Sequence, residues 1–402
     1  MTPPLTGIRV LDLGSMVAAP YGATMLGDMG ADVIKVEPPQ GDEVRYLGPG
    51  KGSDSGIFVG VNRNKRGMVL DLRSAAGQEL FRKLVATSDV VIHNIRAAAR
   101  RRLGLTYPDL CRDRPDVISV VVSTYGESGP YAGRPGIDPS AQALSGFMSL
   151  TGFPDGEPLR TSVPIADATA ANLVAFGVMT ALFARQRDGV GQELEVSLLG
   201  GMLHLQPGPV GQYGLLGYTQ PRVGNGSPFF APYNSYRCRD DRRIHVAVFN
   251  NKFFANLCRA IGRPDLAADP RYASNELRLE HSDRLDAAIQ ESVARFDSSE
   301  LMLRLQEADA IAAPVSEFHE VFADPQVDGN AMLAPVHHPR HGEFKVGGVP
   351  VKLNRTPGGV MRPPPTLGEH TAEILESLGL ARERIAALTV PGGPAGIAPG
   401  KD

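Results

Sequence analysis

The stretch IRVLDLGSMVAAPYGATMLGDMGADVIKVE, residues 8–37, decides the fold. It opens on a short apolar run, IRVLDL (8–13), and closes on a second, DVIKVE (32–37). Runs of this length fit strands buried on both faces, as parallel sheets require. Between them Pro20–Met29 reads as a helix, with proline in the first turn, where its missing N–H leaves no bond unmade. Strand, helix, strand in close succession is a βαβ unit.

The same alternation continues outward. MVLDL (68–72), DVVIHN (89–94), VISVVVS (117–123) and QELEVSL (192–198) read as further buried strands. Helices are expected at Ser74–Thr87, with Ser74 as cap, and near Arg96–Arg102. A long helix should run from Ile165 to a stop at Gly189. This pattern predicts an α/β protein with a doubly wound, Rossmann-like large domain whose ligands sit beyond the carboxyl ends of the strands.

After residue 200 the texture changes. Residues 201–235 are rich in Gly, Pro and Tyr without a period and read as a linker, as does 319–330. Between them 236–318 should form a smaller α+β domain, with a strand at RRIHVAVF and helices at SDRLDAAIQESVARF and SSELMLRLQEAD. Residues 1–200 and 331–402 then make the large domain, with a late helix at HTAEILESLGL and a disordered PGGPAGIAPGKD tail. No internal repeat is visible.

Composition narrows the function. A net charge of -3 from 41 basic and 44 acidic residues provides no basic stripe for nucleic acid. The apolar run Ala170–Phe183 is too short and too polar to span a bilayer, and MTPPLTGIRVLDL lacks the pattern of a secretion signal. Cys111, Cys238 and Cys258 are widely spaced and form no CxxC pair, as expected of reduced thiols in a soluble cytoplasmic protein. There is no G-x-G-x-x-G after the first strand, no P-loop, no G-x-S-x-G and no H-E-x-x-H. The cluster HHPRH (337–341) has neither helical nor hairpin ligand spacing and reads as a solvated loop, so no metal is expected.

One carboxylate stands out: Asp167, at the head of the long apolar helix in VPIADATAANLVAFGVMTALFARQ (163–186). An aspartate there can simply accept helix N–H groups, a contribution of about 0.5–2 kcal/mol. The same N–H groups can keep a carboxylate ionised in dry surroundings, where it becomes a usable nucleophile.

Six segments bear a collective resemblance: residues 7–45, NRNKRGMVLDL, DVVIHNIRAAARRRLGL, GPYAGRPGIDPSAQALSGFMSLTG, VPIADATAANL and PPPTLGEHTAEIL. Together they resemble the family III CoA-transferases, the group of formyl-CoA and carnitine-CoA transferases. The resemblance implies a homodimer of interlaced subunits, acyl-CoA and carboxylic acid substrates, and no tightly bound cofactor beyond coenzyme A as part of the substrate. It implies Asp167 as a nucleophile that forms an aspartyl anhydride and then an aspartyl-CoA thioester. It also implies CoA contacts at Met16, Val17, Ala18, Leu70, Arg73, Asn94, Ile95, Arg102 and Arg134.

The chain departs from that group in places. GNGSPFFAPYNSYRC (224–238), with Phe229, Phe230 and Tyr233, stands where oxalate-using members carry a glycine run, which disfavours formate and oxalate as the pair. Pro38 stands where a basic CoA contact is usual. Related α-methylacyl-CoA racemases typically have a histidine at Ile137 and a glutamate within FNNKFF (249–254), and neither base is present. A non-catalytic CoA-ester binding protein is the remaining alternative.

Overall fold

The computed structural model describes residues 2–52 and 54–398 of the 402-residue chain. The chain divides into two compact units, one of residues 1–145, 161–207 and 325–402, the other of 146–160 and 208–324.

In the first unit, apart from a later hairpin, the strands are β1 (Arg9–Asp12), β2 (Asp32–Glu37), the two-residue pair β3 (Gly50–Lys51) and β4 (Asp54–Ser55), β5 (Lys65–Val69), β6 (Val90–His93), β7 (Ile118–Ser123) and β8 (Glu193–Ser197). Six of them make one sheet in the order β5-β2-β1-β6-β7-β8, with every neighbouring pair parallel. That is the doubly wound order with a single reversal, between β1 and β6, where Leu11 pairs with both Ile34 and Val91. The helices of this part are α1 (Ala18–Asp28), α2 (Gly56–Val61), α3 (Ala75–Ala86), α4 (Ala97–Leu103), α5 (Tyr107–Asp113) and α6 (Asp138–Leu144). Ser74 caps α3 by accepting the Gly77 N–H at 3.0 Å. After α7 (Phe147–Leu150) comes α8 (Ile165–Asp188), stopped by Gly189 in the left-handed conformation.

Helix α8 covers 24 residues, longer than the Ala170–Phe183 run judged too short and too polar in the sequence, and is by length and composition alone apolar enough to cross a membrane. It nevertheless buries Ala170, Ala171, Val174, Val178 and Ala181. Helix α1 lies so close that a Cβ on Gly22 would sit 2.6 Å from Val174 Cγ1. The small residues are what permit that approach. Beneath the strands, Leu11, Ile34, Met68, Leu70, Leu84, Val91, Ile374 and Leu375 share one fully buried cluster.

The second unit has its own core, built from Tyr236, Ile244, Val246, Phe254, Leu257, Leu285, Ile289, Leu301 and Leu305. Its antiparallel sheet runs β11-β10-β9, from β9 (Tyr233–Arg237), β10 (Arg243–Ala247) and β11 (Ala312–Pro314). Helices at Ser282–Val293 and Ser298–Glu307 stand where amphipathic periodicity placed them.

Three expectations change. The stretch expected as a linker, 201–235, carries helical turns at Leu198–His204 and Pro207–Leu216. The HHPRH cluster is no solvated loop: it forms the tip of the hairpin β12 (Leu333–His338) and β13 (Gly342–Gly347), with His338 only 1% exposed. The described part of the tail, 391–398, is packed. Ala395 joins the core cluster, Pro394 O accepts the Asp71 N–H, and the Ala398 N–H reaches Pro39 O. Residues 399–402 of that tail lie outside the described residues.

Candidate active site

The carboxyl ends of β1 and β6 meet at the sheet's reversal, and the chain fastens them there with one side chain. Asn94 Oδ1 accepts the Ser15 N–H at 3.0 Å, and Asn94 Nδ2 donates to Ser15 O at 2.8 Å. Ser15 begins the turn that continues through Met16, Val17 and Ala18 into α1. Sequence reasoning named Met16, Val17, Ala18, Asn94 and Ile95 separately; the Ser15–Asn94 bonds bring their two segments together at the sheet's reversal. Met16 holds φ of +67°, a left-handed conformation rare for a residue with a Cβ. Gly14 is required just before it, since a Cβ there would lie 2.6 Å from Ala19 Cβ.

The other predicted contacts are placed less uniformly. Arg73 is exposed at the start of α3 and pairs with Asp71 at 3.0 Å. Leu70 is 1% exposed and belongs to the core, and its N–H is taken by Glu37 O at 2.8 Å. At the end of α4, Arg101 and Arg102 are exposed while Arg100 is tied to Glu127. Arg134 lies over the Tyr131 ring at 4.0 Å and lines an open cavity of about 430 Å³ with Tyr125, Tyr131, Ser140, Ala143 and Leu144. His93, the last residue of β6, is fully buried with neither ring nitrogen bonded, and burial, with Arg100 nearby, pulls its pKa down to about 3.

Asp167 sits in the first turn of α8, partly buried. Sequence reasoning expected its carboxylate to take the helix N–H groups. Instead Asp138 takes them: its Oδ2 accepts from the Ala166 N–H at 2.7 Å and the Asp167 N–H at 3.1 Å. Asp138 is held in turn by Gln142, whose Nε2 reaches Oδ1 at 2.5 Å while its Oε1 accepts the Thr161 N–H at 3.0 Å. Among the described residues no donor reaches the Asp167 carboxylate. Burial, and then the charge of Asp138, push its pKa up to about 7. The correction has a plain cause. The positive end of the helix is spent on one aspartate, and the second is left beside it without compensation.

A carboxylate so placed is basic and poorly solvated, the state in which an oxygen nucleophile is most reactive. Asp138 was missed in the sequence. Its local signal was present, an aspartate followed by proline at a helix start in GIDPSAQ, but nothing local shows that it caps another helix 28 residues on.

Comparison with known proteins decides the family. Residues 5–371 match the model of CoA-transferase family III. The chain belongs to CoA-transferase family III. It is 35% identical over 388 residues to succinyl-CoA–D-citramalate CoA-transferase of Chloroflexus aurantiacus, covering 96% of each chain. It is 34% identical over 384 residues to succinate–glutarate CoA-transferase of Agrobacterium fabrum, covering 94% of this chain and 96% of that one. The solved structure of a CAIB/BAIF family protein from Brucella suis superposes with a TM-score of 0.87 at 32% identity, over 94% of this chain and all of that one. As a family III CoA-transferase the chain is an enzyme.

The hairpin histidines are a separate matter. Ligand atoms of Asp54, His338 and His341 lie within 4.8 Å of one another. His338 Nδ1, however, accepts the N–H groups of Arg340 and His341, and His341 Nε2 lies 2.9 Å from Asp54 Oδ2. Asp54 Oδ1 takes Arg45 Nη1 at 2.5 Å. The cluster ties the hairpin to the β3–β4 region.

Proposed function

We propose that this enzyme moves coenzyme A from an acyl-CoA thioester to a free dicarboxylic acid, with Asp167 as the covalent carrier. The observation that carries the proposal is the partly buried carboxylate of Asp167, which no donor among the described residues reaches and whose pKa burial and Asp138 push up to about 7. An Asp167 oxygen attacks the thioester carbonyl and expels the CoA thiolate, leaving a mixed anhydride. The thiolate attacks the aspartyl carbonyl, the donor acid departs, and an aspartyl-CoA thioester remains. The acceptor carboxylate then displaces the thiolate to form a second anhydride. Attack of the thiolate on the acceptor carbonyl regenerates the Asp167 carboxylate. Every bond made is matched by one broken, so the sequence is closed without an oxidant or a metal.

The citramalate and glutarate in the names of similar enzymes support a short dicarboxylate as acceptor and succinyl-CoA as donor. Isotope-labelled acceptor acid, incubated with succinyl-CoA and the enzyme, should become labelled thioester. Deuterium uptake at the α-carbon without exchange would instead mark an epimerase, and neither result would leave a CoA-ester binder.

We also infer that the working form is a homodimer. Phe176, Met179 and Phe183 on α8 are 65%, 43% and 70% exposed, and Leu215 and Leu216 are 83% and 70% exposed. Apolar surface of that extent calls for cover, which a second copy, interlaced as the family resemblance implies, provides. Light scattering in solution should report two chains per particle, and one chain would refute it. The three unpaired cysteines accord with a reducing cytoplasmic setting.

A further inference from the structure

We propose that Asp42 is a positioning residue for the thioester substrate: together with Lys35 it clamps the β1–α1 turn into its binding shape. The proposal rests on the CoA-transfer reading above.

Parallel sheets that bind nucleotides usually shape this turn with several glycines, which allow close approach of backbone and ligand. This chain has one, Gly14, followed by Ser15, Met16, Val17 and Ala18. The shape is supplied by side chains around the turn, from the end of β1 and from neighbouring segments. Asp12 Oδ1 accepts the Gly14 N–H at 2.9 Å, and Lys35 Nζ donates to Gly14 O at 2.9 Å. Asn94 takes both polar groups of Ser15. Asp42 Oδ1 accepts the Met16 N–H at 3.2 Å, at the residue whose left-handed backbone most needs support. From Gly14 to Met16, these peptide groups are held by side chains: Asp12 at the end of β1 itself, and Lys35, Asn94 and Asp42 from elsewhere in the chain.

The clamp is built to stay rigid. Lys35 is fully buried, Asp42 is 4% exposed, and Lys35 Nζ lies 3.0 Å from Asp42 Oδ2. Asp42 is anchored through its own N–H, which donates to Glu37 Oε2 at 2.9 Å. A buried ion pair in this position specifies geometry more than it adds stability. Asp42 also has a local duty, since it accepts the Val44 N–H at 3.1 Å and caps the short 3-10 helix Glu43–Tyr46. Serine performs such capping as well as aspartate but is too short to reach the Met16 N–H.

That difference provides the test. The full-length enzyme is assayed as wild type, Asp42→Ser and Asp42→Asn, with succinyl-CoA varied at saturating acceptor acid. Asp42→Ser should raise the KM for succinyl-CoA about tenfold while kcat stays within twofold. Asp42→Asn keeps an oxygen for both N–H groups and should stay within threefold of wild type in both constants. Asp42→Ser with an unchanged KM overturns the proposal, as does Asp42→Asn equally impaired in KM. If Asp42→Ser does not fold, Asp42→Asn against Asp42→Gln decides: the longer amide cannot keep both bonds, and equal KM values for the two refute the clamp. An inactive wild type would refute the CoA-transfer reading itself, a result distinguishable from either outcome above.

Discussion

Asp138 Oδ2 accepts the backbone N–H of Asp167 at 3.1 Å, so one aspartate caps the helix that carries the other. The arrangement fixes the Asp167 backbone and withholds from its side chain the donors that would lower its pKa. Burial comes first in raising that pKa, and the Asp138 charge second.

Activity should follow the ionised form of Asp167. With a pKa near 7, kcat/KM should rise as pH increases toward about 7 and level off above it. A profile of kcat/KM from pH 5 to pH 9 checks this. A flat profile contradicts it.

Asp138→Asn should move that midpoint downward. The substitution removes the like charge and keeps an oxygen to accept the Ala166 and Asp167 N–H groups. Because burial is the larger cause, the midpoint should remain above the ordinary aspartate value of 3.8. An unchanged or raised midpoint would show that the Asp138 charge does not act on Asp167.

The same shift has a consequence for stability. Asp167 has a higher pKa folded than unfolded, so the folded state holds the proton more tightly, and the contribution of Asp167 to wild-type stability declines as pH rises from about 4 to about 7. Asp167→Asn lacks this penalty. It should be more stable than wild type at pH 8, by on the order of 1–2 kcal/mol after discounting for partial solvent access, with the gain vanishing near pH 4. Thermal melts at the two pH values decide it.

Under the sheet, Lys65 Nζ bonds Asp12 Oδ2 at 2.8 Å, Pro20 O at 2.7 Å and Asn62 Oδ1 at 2.8 Å, and both charged groups are fully buried. Burial, the larger influence, pulls the Lys65 pKa down to about 8 against the pull of Asp12. Lys65→Met leaves Asp12 with Lys35 at 3.8 Å as its nearest cation and should cost about 3–5 kcal/mol. Denaturant unfolding measures the loss.

Much of this fold is legible because it is local. Largely apolar strand runs of five to seven residues, the cap at Ser74 and the stop at Gly189 each carry their own signal. What the sequence conceals is long range. Asp138 reads as an ordinary helix start until α8 is packed against it, and the capping it performs spans 28 residues. His341 meets Asp54 across 287 residues, so HHPRH looks solvated when read alone. The Gly- and Pro-rich tail has the composition of a disordered end, yet Ala395 and two backbone hydrogen bonds dock it on the core. Asp167 was found through resemblance, but its electrostatics ran opposite to the local argument because a distant residue had taken its N–H groups.

The most direct measurement is to incubate the enzyme with succinyl-CoA alone, trap with hydroxylamine, digest, and map the modified peptide by mass spectrometry. The modification should fall on Asp167, as a hydroxamate, and should be absent when succinyl-CoA is omitted. An enzyme that exchanges label between thioester and acid while carrying its modification elsewhere, or none at all, would show that Asp167 is not the carrier.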